Sequence, residues 1–184
     1  PSDSSRLWSV ELKPFIDVAN AGVDAIMIAH VHAPDFQPES DIPATLSKFW
    51  VTDILKNKIG YKGIIITDGM GMGGVTKNYA DDYAIIEAVK AGCDVIIQNY
   101  DIVGSINAIE DAVKNNEISI EQINSSALKM LKMKENAGLH LNPFVDLDFM
   151  MKTIGIKEHR EASDRISTEA ITLVRDEKNL LPLD

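Results

Sequence analysis

The stretch Ile64-Ile65-Ile66-Thr67-Asp68-Gly69 decides how this chain folds. Three consecutive β-branched apolar residues predict a strand covered on both faces, the pattern of parallel sheets flanked by helices. Asp68 falls just past the predicted C-terminal end of that strand. In α/β barrels and open α/β sheets alike, the loops leaving those ends converge on one mouth. A carboxylate there is a candidate catalytic group, set against the helix-capping and turn-forming roles that aspartate also performs.

Two more short apolar runs lie outward of it, Ala25-Ile26-Met27-Ile28 before and Val95-Ile96-Ile97 after, with helical patterns between them. Ser47 is placed to cap a helix carrying Trp50, Val51, Ile54 and Leu55 on one face, with Gly60 as its stop. Asp81 and Asp82 favour the start of the next helix, Ile85, Ala88 and Val89 form its apolar side, and Gly92 follows its last turn. These are βα units in series, joined by right-handed crossovers. Upstream, residues 14–21, closed by Gly22, read as the helix of a preceding unit whose own strand is not in this chain. Downstream, residues 101–113 fit an amphipathic helix through Val103, Ile106, Ile109 and Val113. Ser119 and Gln122 then show capping-box spacing at the head of another helix, which runs towards Gly138. Asn142-Pro143-Phe144 ends the series. A further helix is predicted from Lys157, then a strand at 170–174, a turn at 176–179 and a new segment from Leu180.

Composition narrows the function classes. The chain has 184 residues, 45% of them apolar, enough for a sizeable core, and a formal charge of −10. That charge repels phosphate backbones and anionic membrane surfaces, and no basic patch offsets it, so no nucleic-acid partner is expected. No apolar run approaches the roughly 18 residues of a membrane span. Cys93 is the sole cysteine, which excludes an internal disulfide and a cysteine-rich metal site; it reads as a small buried residue beside a strand. Starting at Pro1 and ending in the apolar run Asn179-Leu180-Leu181-Pro182-Leu183-Asp184, the chain reads as a fragment.

Four histidines and a glycine-rich segment are the remaining candidates for chemistry. His30 follows the first strand, and no second ligand stands at metal spacing, so no metal is assigned. A hydrogen-bonding or a structural role remains. His32 and Asp35 fall in a solvated loop, and His140 and His159 lie in the later, non-repeating region. The glycine-rich segment Gly69-Met70-Gly71-Met72-Gly73-Gly74 lacks the spacing and the lysine–serine pair of a phosphate loop, and reads as a flexible turn.

Taken together, the segments resemble glycoside hydrolase family 3, particularly its β-N-acetylhexosaminidase branch. Val10-Glu11-Leu12-Lys13-Pro14-Phe15 is similar to the helix after the family's acid/base loop, and Gly22-Val23-Asp24-Ala25-Ile26-Met27-Ile28-Ala29-His30-Val31 to its sixth strand. Pro43-Ala44-Thr45-Leu46-Ser47 resembles the lead-in to the following helix. Gly60-Tyr61-Lys62-Gly63-Ile64-Ile65-Ile66-Thr67-Asp68 resembles the seventh strand and Lys90-Ala91-Gly92-Cys93-Asp94-Val95-Ile96-Ile97 the eighth. Ile171-Thr172-Leu173-Val174-Arg175 with Asn179-Leu180-Leu181-Pro182-Leu183 looks like the linker into the family's C-terminal domain.

The resemblance implies an α/β fold in which residues 1–140 are the second half of a TIM (β/α)8 barrel. Residues 141–184 would be a linker helix and strand leading to a further α/β domain. It implies a retaining glycosidase releasing terminal N-acetylglucosamine through a covalent glycosyl-enzyme, with a carbohydrate as its partner and no cofactor or metal. Asp68 would be the nucleophile, His30 would line the sugar site, and Met72 would pack on the sugar or in the core. The general acid/base, a histidine of an Asp-Ser-His loop, would lie upstream; Asp3-Ser4-Ser5 is not that loop. A β-glucosidase or β-xylosidase of the same family is the nearest alternative, and a sugar-binding homologue without catalysis the alternative of another class. The implied C-terminal domain favours an exported, periplasmic or lipoprotein location. The chain by itself is expected to be inactive and to associate through open sheet edges.

Overall fold

The computed structural model describes residues 3–37, 41–98 and 100–177. Its elements run α1 (Ser4–Arg6), a π-helical segment (Leu7–Glu11), α2 (Lys13–Asn20), β1 (Ala25–Ile28), a 3-10 turn (Ala44–Leu46) and a second π-helical segment (Phe49–Lys58). There follow β2 (Ile64–Gly69), α3 (Gly73–Thr76), α4 (Asp81–Ala91), β3 (Val95–Ile97), α5 (Ile102–Lys114), α6 (Ile120–Asn136), α7 (Leu147–Thr153) and α8 (Lys157–Glu169). Two compact units result, Pro1–Ala137 and Gly138–Asp184.

The first unit is built on a parallel sheet of order β1-β2-β3. Ala25, Ile26, Met27 and Ile28 face Ile64, Ile65, Ile66 and Thr67 in register, so sequential strands are neighbours and each connection must cross over through a helix. Ile65 is fully buried at the centre, packed with Ile26, Val51, Leu55, Val75, Ile85 and Ala88. Each such side chain withdrawn from water contributes about 1.5–3 kcal/mol. This is the double-sided burial that the run Ile64-Ile65-Ile66 predicts.

The helix ahead of β2 departs from expectation in two ways. It winds with i to i−5 hydrogen bonds, Ile59 N–H donating to the Ile54 carbonyl at 2.8 Å. Ser47 does not cap it, because the Ser47 hydroxyl donates to Gln37 Oε1 at 2.6 Å instead. Its apolar face is as predicted, with Val51, Ile54 and Leu55 buried. Thr52 on the same segment donates to the Ala91 carbonyl at 2.6 Å and so satisfies the end of α4. Gly92, which closes α4, has φ +116° and lies so close that a Cβ would stand 2.7 Å from the Thr52 hydroxyl. Conformation and space both require glycine there.

Cys93 is 2% exposed, with its thiol 3.7 Å from the Thr45 carbonyl. Burial pushes the thiol up to about 12, against a smaller downward pull from Lys56. The thiolate is the reactive form, so native protein treated with a disulfide reagent at pH 8 is expected to leave Cys93 unmodified by peptide mapping, with complete reaction after unfolding. Modification in the native state would contradict this burial.

Next to Cys93, at the N-terminal end of β3, stands Asp94, whose side chain is 3% exposed. It accepts from Ile65 N–H at 3.0 Å, Ser126 Oγ at 2.7 Å and Lys129 Nζ at 2.8 Å, and Lys129 also donates to the Gly63 carbonyl at 3.1 Å. One carboxylate thus pins α6 to the sheet. Ser119 caps α6 by accepting from Gln122 N–H at 3.1 Å, but the Gln122 side chain crosses to the Val89 carbonyl rather than completing a reciprocal box.

In the second unit α8 begins at Lys157 as expected. Asp146 heads α7, which the sequence reading passed over, by accepting from Phe149 N–H at 3.0 Å. The predicted strand at 170–174 is not one: residue 170 ends the α8 helix and residues 171–176 have no regular structure. Its apolar pattern meets no ladder partner among the described residues, and a strand exists only through its pairing. Of the turn expected at 176–179, residue 177 is in a turn and residues 178 and 179 lie outside the described residues, as does the segment expected from Leu180.

Candidate active site

The sheet's C-terminal rim is where Asp68 sits, but within β2 rather than after it. Pairing with β3 runs from Ile66 opposite Val95 to Gly69 opposite Ile97, which leaves one extra residue on β2. Such a bulge breaks the alternation of side chains and turns one of them out of the strand's regular direction. The Thr67 hydroxyl repairs the ladder by accepting from Ile97 N–H at 3.0 Å, and the Ile97 carbonyl accepts from Met70 N–H at 2.9 Å. Thr67 is fully buried and Met70 is core, while Asp68 between them is half-buried. One carboxylate oxygen, Oδ1, accepts from Gly69 N–H at 2.7 Å. The other takes no hydrogen bond from the described residues, and is available to a ligand.

His30 stands beside this tip. Its Nε2 donates to the Gly69 carbonyl at 3.0 Å, and its Nδ1 lies 2.8 Å from the Thr45 hydroxyl. Because a carbonyl only accepts, Nε2 carries a proton. Thr45 is fully buried and also lies 3.3 Å from the Ile28 carbonyl, which ties the end of β1 to the turn before the second π-helical segment. Gly74 packs under the histidine: a Cβ there would lie 2.9 Å from His30 Cβ. Met72 is half-exposed at the mouth, and its N–H donates to the Gly69 carbonyl at 3.0 Å.

The structure therefore brings Asp68, His30 and Met72 together around Gly69. It does not bring in His32, which pairs with Asp41 at 3.3 Å on an exposed loop; His140 and His159 belong to the second unit. Thr45 and Thr67 were missed in the sequence. A fully buried hydroxyl must find a partner, but nothing local announces that burial. A cavity of ≈ 400 Å³ opens at the opposite, N-terminal end of β1 and β2, lined by Asp24, Tyr61, Gly63 and Lys132 among others. The half-buried Asp68 carboxylate lies at the other end, and it is the stronger candidate because parallel α/β scaffolds present chemistry at C-terminal strand ends.

A crossover-connected parallel sheet with a carboxylate turned out at its C-terminal rim defines an α/β protein with its candidate site at the strand ends. The family model for the glycosyl hydrolase family 3 N-terminal domain matches residues 1–133, and the chain belongs to that family. It is 28% identical to beta-hexosaminidase A of Pseudoalteromonas piscicida, covering 98% of this chain and 33% of that protein. It is also 28% identical to a beta-xylosidase of Formosa agariphila, over 97% of this chain and 25% of that protein. The solved structure of a family 3 beta-N-acetylglucosaminidase from Paenibacillus sp. superposes with TM-score 0.80 and 32% identity, over 96% of this chain and 34% of that one. The chain thus spans about a quarter to a third of the length of these relatives.

Proposed function

We propose that this chain supplies the nucleophile-bearing part of a retaining glycoside hydrolase that removes terminal N-acetylglucosamine from β-linked glycosides. The observation that carries the proposal is the half-buried Asp68 carboxylate at the irregularly paired C-terminal end of β2, steadied through one oxygen by Gly69 N–H. On this reading β1, β2 and β3 are the sixth to eighth strands of a (β/α)8 barrel, and residues 141–184 connect it to a further domain.

The chemistry requires an ionised carboxylate held below the anomeric carbon and a proton donor beside the leaving oxygen. A lone pair of Asp68 bonds to C1 as the C1–O bond breaks, and that bond's electrons go to the leaving oxygen, which takes the donor's proton. Water then attacks C1, returns a proton to the donor, and releases Asp68 as a carboxylate. The donor is assigned to residues upstream of Pro1, and Met72 to the wall against the sugar. Similarity to hexosaminidases and to a beta-N-acetylglucosaminidase structure supports the N-acetylglucosaminide as substrate. Likeness to the Formosa beta-xylosidase favours a second reading, a β-glucosidase or β-xylosidase.

Nitrophenyl glycosides assayed with the full-length protein distinguish them. The expected result is a kcat/KM at least about tenfold higher on the N-acetyl-β-glucosaminide than on the β-glucoside or β-xyloside, since a site built around an amide rejects analogues lacking it. The opposite preference transfers the assignment to the second reading. No turnover of any of the three overturns both.

A further inference from the structure

We propose that His30 is a positioning residue, which sets the aim of the Asp68 carboxylate through the Gly69 backbone instead of binding the sugar; this rests on the reading of Asp68 as nucleophile. Both ring nitrogens are spent inside the protein, Nε2 on the Gly69 carbonyl and Nδ1 on Thr45. Neither is left to face a ligand. Gly69 is held at both ends: its N–H points at Asp68 Oδ1, and its carbonyl receives two donors, His30 Nε2 and Met72 N–H. The direction of that N–H fixes where the carboxylate points, so whatever anchors Gly69 anchors the attacking oxygen.

The histidine is itself immobilised. Thr45 is fully buried and spans His30 and the Ile28 carbonyl, and Gly74 closes on His30 Cβ without room for a methyl group. The relay Thr45, His30, Gly69, Asp68 therefore links the end of β1 to the tip of β2 beyond their last ladder pair, Ile28 with Thr67, where the pairing of β2 with β3 is itself irregular. Attack on C1 tolerates little misalignment, and a displacement of about 1 Å costs on the order of 100-fold in rate. The effect falls on the transition state and not on ground-state binding.

The test uses the full-length protein, the nitrophenyl glycoside on which it is most active, and the variants His30→Phe, His30→Gln, Thr45→Val and Asp68→Asn, with near-UV circular dichroism as the folding control. His30→Phe removes the donor to Gly69 and is expected to lower kcat about 100-fold with KM within about threefold. His30→Gln restores an N–H at similar reach and is expected to recover kcat to within about tenfold of the parent. Thr45→Val, at a fully buried position, is expected to lower kcat about tenfold, and combined with His30→Phe to add nothing further, as members of one relay do. A rise in KM with kcat retained would make His30 a sugar ligand and overturn the proposal, as would a parental kcat in Thr45→Val. Should His30→Phe fail to fold, His30→Gln and Thr45→Val still decide by the same two outcomes. Asp68→Asn separates the two levels. Loss of turnover there with no effect at Thr45 or His30 overturns this inference alone, whereas retained turnover removes the nucleophile reading on which it stands.

Discussion

Asp68→Asn in the full-length protein is expected to lower kcat about 10⁴-fold or more, equivalent to about 5 kcal/mol of transition-state stabilisation. The substitution is nearly isosteric. Its side-chain oxygen still accepts from Gly69 N–H, as Asp68 Oδ1 does at 2.7 Å, so the bulge and its surroundings need not change. On the proposed mechanism, what disappears is the charged oxygen that attacks C1, because a neutral amide is a poor nucleophile. Loss of activity alone does not distinguish a nucleophile from an electrostatic stabiliser, so a second variant completes the argument. Asp68→Gly opens space at the strand tip, where a small external anion such as azide is expected to restore turnover and yield a glycosyl azide of inverted configuration. Normal turnover in Asp68→Asn, or an azide product of retained configuration, would remove the covalent mechanism.

Asp94→Ala is expected to destabilise the first unit by about 3 kcal/mol, the lower part of the range for breaking a buried ion pair. Three donors lose their acceptor at once: Ile65 N–H in the central strand, Ser126 Oγ and Lys129 Nζ. The partners are unequally placed. Asp94 is 3% exposed but Lys129 is 28% exposed and keeps the Gly63 carbonyl, so its ammonium retains some hydration and the loss is less than for a sealed pair. Lys56, half-buried nearby, is held below the usual lysine range chiefly by burial, with Asp94 pulling it back up; without that carboxylate it shifts further down. Hydrogen exchange gives the local readout, with the Ile65 amide expected to exchange about 100-fold faster. Pairing the change with Lys129→Met should recover part of the loss, because no uncompensated cation then remains. A urea midpoint unchanged in Asp94→Ala would show that the cluster contributes nothing.

What the residues announced locally held locally. The three short apolar runs marked three parallel strands, of which only the central β2 is largely buried, and glycines at 22, 60, 92 and 138 mark helix ends where φ is positive. Asp101 and Ser119 cap their helices because the acceptor and the N–H it receives lie three residues apart, a distance the chain itself sets. Where the partner lay far along the chain, prediction failed. Ser47 turns to Gln37 and the Gln122 side chain to Val89, since a hydroxyl or amide takes whichever partner packing brings nearest. The run at 170–174 has strand composition but no ladder beside it among the described residues.

The candidate site divides the same way. Sequence alone pointed to a carboxylate at the rim of a covered strand, because Asp68 closes a run of three β-branched apolar residues that is framed by βα units on both sides. Only the tertiary structure decided how it is aimed. The extra residue in β2 exists relative to β3, some thirty positions onward, and the contact from His30 to Gly69 spans 39 residues. Register and cross-strand hydrogen bonds are relations between segments, set by how the core packs, and no single stretch of sequence contains them.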